Sequence, residues 1–263
     1  MLSSLQNPLV KQLRKLHRPK ERRKQDCFLI EGTHLVEEAC RANWPLPVVC
    51  HTATWPQSHP ALWQQVREQA YRVELVSAPV LEAIATTAHP DGVIAAAERR
   101  PPASESVTLP SLGLAVETLQ DPGNLGTIIR TAAAAGVDRF WLSEDSVDLE
   151  HPKVLRASAG QWFRLPMEQR QAWHTDVAQL RGAVQIVATS PTAPQPYWAL
   201  DLTQPTLVLV GNEGAGLSEQ ALQLADRHIA IPSAAEVESL NVAIATALVL
   251  YEAMRQRQHG RHN

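Results

Sequence analysis

The chain has 263 residues, 44% apolar and 19% charged, with a formal net charge of −3. That is enough apolar material for one large domain or two ordinary ones, and it excludes a disordered chain. The longest apolar helical run, 240–251, contains Asn241 and is too short to span a bilayer, which excludes a membrane protein.

Residues 2–10 are polar and Pro-interrupted, unlike a signal peptide. Cys27, Cys40 and Cys50 are odd in number and lack Cys-x-x-Cys or Cys/His spacing, so reduced thiols in a cytoplasmic protein without a metal site are expected. Residues 1–24 carry eight cations, Lys11, Arg14, Lys15, Arg18, Lys20, Arg22, Arg23 and Lys24, against Glu21 alone. This +7 leaves the other 239 residues at −10. A basic arm on an acidic body suits a polyanionic partner such as nucleic acid; a solvated helix face is the plainer alternative.

Within that arm, Leu9, Val10, Leu13 and Leu16 recur at helical spacing over 7–17, and Pro19 opens a second short basic helix. A strand is expected over 27–30, then a helix over 33–41 with Thr33 as its candidate cap. Strands over 47–50, 72–76 and 92–97 alternate with helices over 60–69 and 79–86. This makes 1–98 an α/β domain. Residues 99–111, RRPPASESVTLPS, are Pro/Ser-rich without periodicity and read as a linker.

The alternation restarts in a second domain, 112–263. Strands are expected over 113–117, 139–142, 162–166, 185–189, 206–210 and 228–231. Helices are expected over 125–135, 151–158, 175–182, 218–225 and 239–256. The buried strands are continuous apolar runs, which favours a parallel sheet covered on both faces. Ligands of such sheets bind at the carboxyl ends of the strands. Three Gly/Asn/Glu-rich turns fall there, opening 117–136, 207–218 and 229–252 into their helices.

Gly211-x-x-Gly214-x-Gly216 follows a strand and precedes a helix, but it lacks the dinucleotide-fold spacing and the acidic residue expected about 20 positions on. No Gly-Lys-Ser/Thr phosphate loop exists, and the ten histidines carry no zinc signature.

The three turns resemble the ordered motifs of the SpoU (TrmH) branch of the SPOUT RNA methyltransferases. Asn124, Gly126, Arg130, Ala132 and Gly136 match the first motif. Residues 207–217 match the second, and Ile231-Pro232 with Ser239-Leu240-Asn241-Val242 match the third. Between them, His151, Lys153, Arg156, Ser158 and Gly160 are similar to a further family segment. Phe28 to Gly32 and Asp91-Gly92-Val93 resemble the L30e-like substrate-binding domain that these enzymes often carry. Ser233, Ala234 and Ala235 stand where the third motif usually has Met and Gly, and Ala243 where it commonly has Ser.

The resemblance implies an α/β SPOUT domain with a mainly parallel sheet and a deep trefoil knot, behind a smaller L30e-like α/β domain. It implies S-adenosylmethionine as methyl donor, an RNA ribose 2′-hydroxyl as acceptor, and a homodimer packed through the knotted domains. Ribosomal RNA is the expected substrate. A transfer RNA methyltransferase and a non-catalytic RNA-binding protein are the alternatives.

Asn124, Arg130, Glu213, Ser239 and Asn241 are then the catalytic set. Thr189, Leu209, Gly211, Asn212, Gly214, Ile231 and Leu240 hold the cofactor. Lys20, Arg22, Arg23, Lys24, Lys153 and Arg156 face RNA. In the family the residue matching Arg130 is proposed to help deprotonate the hydroxyl. A guanidinium is a poor base, so holding the adjacent phosphate and stabilising the developing alkoxide suits it better. Asn124 and Ser239 stand where helix caps are needed, and Glu213 serves either as a cap or as the group that orients Asn124 and Arg130.

Overall fold

The computed structural model describes residues 1–100, 109–234 and 239–259. Most of the expected linker, and Ala235, lie outside them. The chain divides into two compact units, Met1–Pro101 with Glu150–Arg164, and Pro102–Leu149 with Leu165–Asn263.

The first unit begins with helices α1 (Pro8–Lys15) and α2 (Pro19–Gln25). Asn7 caps α1 by accepting from the Leu9 N–H. Strand β1 (Cys27–Glu31), helix α3 (Thr33–Arg41), strand β2 (Val48–His51) and helices α4 (Trp55–Ser58) and α5 (Pro60–Gln69) follow. Strand β3 (Val73–Leu75), helix α6 (Ala78–Ile84) and strand β4 (Val93–Glu98) complete it. The sheet order is β1-β4-β2-β3, with β4 antiparallel to both its neighbours.

Leu9, Val10, Leu13 and Leu16 pack with Val76, Val80, Leu81 and Ile84 in one core cluster. Each such burial is worth about 1.5–3 kcal/mol, so the basic segment is a docked part of the unit rather than a loose arm. Thr33 does not cap α3. Gly32 holds that position at φ 97°, while the Thr33 N–H is taken by the Asp91 carboxylate at 2.8 Å and its hydroxyl accepts from Trp55 Nε1 at 2.9 Å.

In the second unit, strand β5 (Leu112–Val116), helix α7 (Pro122–Ala134) and strand β6 (Arg139–Ser143) precede an excursion. Helix α8 (Pro152–Ala157) belongs with the first unit, although the sequence reading put it in the second domain. Its Leu155 lies in the first unit's core, and Arg164 pairs with the buried Glu38. The strand expected over 162–166 is instead a single 3-10 turn, Gln161–Phe163. Trp162 packs on Phe28 and Phe163 on Trp44, with ring centroids 4.8 and 5.4 Å apart, so aromatic packing overrides strand propensity here.

The second unit resumes with strand β7 (Met167–Arg170), helix α9 (Trp173–Ala178) and strands β8 (Gln185–Thr189) and β9 (Gln195–Pro196). Strand β10 (Thr206–Val210), helix α10 (Glu219–Leu224), strand β11 (Arg227–Ala230) and helix α11 (Val242–His259) close it. Its seven strands run in the order β7-β6-β5-β10-β8-β11-β9, and every pairing is parallel. β5 and β10 are buried along their whole length, as the apolar runs required. Among the described residues, no helix is long and apolar enough to cross a membrane, and no His/Cys/Asp/Glu group could hold a metal ion.

Candidate active site

The carboxyl ends of β8, β10 and β11 open onto one cleft of about 570 Å³ in the second unit. The 211–216 turn forms one wall, and Leu217, Ile229, Ile231, Leu240 and Val242 make an apolar floor. Thr189, Gly211, Asn212, Gly214, Ile231 and Leu240 all line it, as do Glu213 and Ser239. Leu209 does not. It is fully buried within β10, and its contribution is a carbonyl that accepts from the Thr189 hydroxyl at 3.0 Å. Ser190 and Pro191 line the cleft without having been singled out from the sequence, and Ser233, a departure from the third motif, lines it too.

The turn is shaped by backbone proximity. A Cβ on Gly211 would stand 2.2 Å from the Gly216 carbonyl carbon and 2.3 Å from the Leu217 nitrogen, so only glycine fits. Asn212 and Gly216 exchange two backbone hydrogen bonds of 2.9 and 3.0 Å across the turn. The Asn212 side chain braces it further, accepting from the Gly214 and Ala215 N–H groups and donating to the Thr118 carbonyl at 2.8 Å.

The three motif turns meet in one polar chain. Asn241 Nδ2 donates to Asn124 Oδ1 at 3.0 Å, and Asn124 Nδ2 donates to Glu213 Oε1 at 3.2 Å. Glu213 also accepts from the N–H groups of Asp121 at 2.9 Å and Gln120 at 3.3 Å. Burial alone would raise its carboxyl. The bonds from the Asp121 and Glu213 N–H groups, Asn124 and Gln120 outweigh burial and hold it below the usual carboxylate value.

These contacts separate orienting from capping. Asp121 caps α7 by accepting from the Asn124 N–H at 2.8 Å, which frees the Asn124 amide for Asn241 and Glu213. Ser218 caps α10, so Glu213 serves the start of α7 instead. At α11 the Asn241 side chain, not Ser239, accepts from the Ala243 and Ile244 N–H groups.

Arg130 lies on the exposed side of α7, six residues on from Asn124, with no hydrogen bond or ion pair among the described residues.

The residues assigned to RNA divide. Lys20, Arg23, Lys24 and Lys153 are exposed. Arg22 is 1% exposed, donates to the Leu16 and His17 carbonyls at 3.0 and 3.2 Å, and pairs with Glu150 at 3.6 Å. It is a structural clamp, because a buried cation needs its partners. Arg156 bonds to Thr86 at 3.1 Å and lies 3.5 Å from the buried Glu31, so its guanidinium is already engaged.

A parallel α/β sheet with a cleft at its strand ends, lined by the glycine-rich turn, the Asn212 amide and the Glu213 carboxylate, has the form of a small-molecule binding site. Residues 111–251 match the SpoU rRNA methylase family, and residues 7–95 match an MRM3-like substrate-binding domain. An uncharacterised tRNA/rRNA methyltransferase of Synechocystis is 46% identical, covering 97% of this chain and 94% of that protein. The 23S rRNA (guanosine(2553)-2′-O)-methyltransferase RlmP of Bacillus subtilis is 33% identical, covering 95% and 97%. The AdoMet-bound rRNA methyltransferase of Sinorhizobium meliloti superposes with a TM-score of 0.83 at 32% identity, covering 97% of each chain. The chain belongs to the SpoU rRNA methylase family.

Proposed function

We propose that this chain methylates the 2′-hydroxyl of a ribose in RNA, with S-adenosylmethionine as donor and ribosomal RNA as substrate class. The observation that carries it is the Asn241–Asn124–Glu213 chain, which ties three turns together beside the cleft. Relatives that align along both units support the substrate class, being named for 23S rRNA.

The cleft suits this donor in size and in chemistry. Leu217, Ile229, Ile231 and Leu240 offer apolar surface to a base, while Thr189, Asn212, Gly211 and Gly214 offer hydroxyl, amide and backbone groups to polar ends. When bound, the cofactor supplies an electrophilic methyl for in-line displacement by the ribose oxygen. Arg130 places a cation where alkoxide charge develops. Glu213 fixes Asn124, and Asn124 fixes Asn241, so the amides at this edge are pre-aligned rather than free to rotate. Ser239 brings a hydroxyl to the same wall.

Mapping 2′-O-methylated riboses in RNA from cells with and without the gene tests the proposal directly. A gene-dependent site in transfer RNA would move the substrate class. No gene-dependent site, with RNA bound but no donor bound, would leave a non-catalytic RNA-binding protein. In the same reading the protein works in the cytoplasm, and a fluorescent fusion excluded from that compartment would contradict it.

The exposed cations of α1 and α2 serve as the RNA surface. Replacing Lys20, Arg23 and Lys24 with alanine should weaken RNA binding about tenfold at moderate salt. It should also make the slope of log K against log salt shallower by about 2. An unchanged slope would return these residues to simple solvation.

The family's knot and homodimer belong to this reading. Leu240, Ile244, Leu248 and Tyr251 are 37, 53, 37 and 50% exposed at helical spacing, an apolar stripe suited to a second copy. Ile244→Glu with Leu248→Glu should convert a dimer to monomers in sedimentation velocity. A monomeric parent protein would remove the homodimer. An experimental backbone trace in which 212–259 threads no loop of the chain would remove the knot.

A further inference from the structure

We infer that Glu117 is a positioning residue that holds the 211–217 turn in its cofactor-binding shape, acting through Ser218 and His174. The inference rests on the proposed use of the cleft for S-adenosylmethionine, and it concerns a residue that does not line that cleft.

Glu117 grips both ends of the turn. Its N–H donates to the Val210 carbonyl at 2.8 Å, immediately before the turn begins. Its carboxylate, on a residue 4% exposed, accepts from the Ser218 N–H at 2.8 Å and the Ser218 hydroxyl at 2.7 Å, immediately after the turn ends. Ser218 Oγ accepts from the Ala221 N–H at 3.1 Å, so its one proton is directed to Glu117 while its lone pair caps α10. His174 Nε2 supplies the third donor at 2.7 Å. A buried carboxylate with three donors is fully satisfied, and each donor belongs to an element that must stay put for the turn to close.

Between these anchors the turn has little holding power of its own. Gly211, Gly214 and Gly216 leave it conformationally free, and its internal ties all run through one residue, Asn212, by the backbone pair with Gly216 and the side-chain bonds to the Gly214 and Ala215 N–H groups. Without Glu117, binding the cofactor would have to bear the cost of ordering it.

Glu117→Gln keeps the shape but turns an amide NH₂ toward a site built of donors. Calorimetric titration with S-adenosylmethionine should show a Kd raised about 10–100-fold. Turnover at saturating donor should stay within about threefold, a KM effect without a kcat effect. Hydrogen exchange of the Asn212 and Gly216 amides should quicken in the cofactor-free protein. Ser218→Gly, which keeps the N–H donor and costs little as a cap, should give a smaller change in the same direction if Glu117→Gln does not fold. A lowered Tm with unchanged Kd and unchanged amide exchange would overturn the inference and leave Glu117 a purely structural residue. If the parent protein binds no S-adenosylmethionine, the functional reading fails on its own. The exchange comparison then still decides whether Glu117 holds the turn.

Discussion

Arg130→Ala should lower the single-turnover rate of ribose methylation by about 10²–10³-fold, the usual loss when one preorganised charge-stabilising donor is removed. Donor affinity should stay near that of the parent protein, because Arg130 is not among the cleft-lining residues. Stability should change by less than about 0.5 kcal/mol, since the side chain is exposed and alanine suits a helix interior. Arg181 and Arg227 of this unit are likewise without a side-chain hydrogen bond or ion pair among the described residues, but they flank the opposite, amino ends of the strands. Arg257, by contrast, donates to the carbonyls of Ser111, Leu202 and Gln204. An exposed arginine left without internal partners, six residues along α7 from an amide wired into the site, is available to a phosphate and a developing alkoxide. Arg130→Lys separates the two proposed roles. A lysine restores the charge but not the fork, so an electrostatic clamp predicts partial recovery. An Arg130→Ala protein methylating RNA within threefold of the parent rate would remove Arg130 from the mechanism.

The fold was legible where one physical signal dominated. Continuous apolar runs placed β8 and β10 residue for residue, and proline at the first turn placed α2 and α5. The sequence was silent where tertiary packing decides. Nothing local says that Trp162 and Phe163 belong to the first unit's aromatic cluster rather than to a strand of the second. Nor does a run of cations reveal that Arg22 is turned inward while Arg23 and Lys24 face solvent; the helical phase of Leu9, Leu13 and Leu16 ends before α2 begins.

At the site, the motif resemblance named most of the cleft, but roles within it depended on partners. Asn124 and Ser239 both read as caps from the sequence, and only the hydrogen bonds show that Asp121 takes the first of those duties and Asn241 the second. Glu117 read merely as the end of a strand. Its importance comes from Ser218 and His174, 101 and 57 residues away along the chain, which no local pattern connects.

Gly211→Ala should abolish measurable S-adenosylmethionine binding while leaving most of the protein folded. The added Cβ would sit 2.2–2.3 Å from three backbone atoms of Gly216 and Leu217, far inside van der Waals contact. No rotamer can relieve a clash with backbone, so the strands of the turn must separate. Separation breaks the two Asn212–Gly216 bonds, at about 1 kcal/mol each, in addition to an overpacking cost of about 1–3 kcal/mol. Refolding the turn around a ligand would then require roughly 3–5 kcal/mol, which corresponds to a loss of about 10²–10⁴ in affinity. The damage stays local because the clash falls on a turn whose flanking strand is held by pairing on both sides, β5 on one and β8 on the other. Calorimetric titration gives the affinity, and a thermal melt monitored by far-UV circular dichroism gives the fold. A Gly211→Ala protein that binds the cofactor within threefold of the parent would show that the turn opens and closes freely, and that its close backbone crossing is no condition of binding.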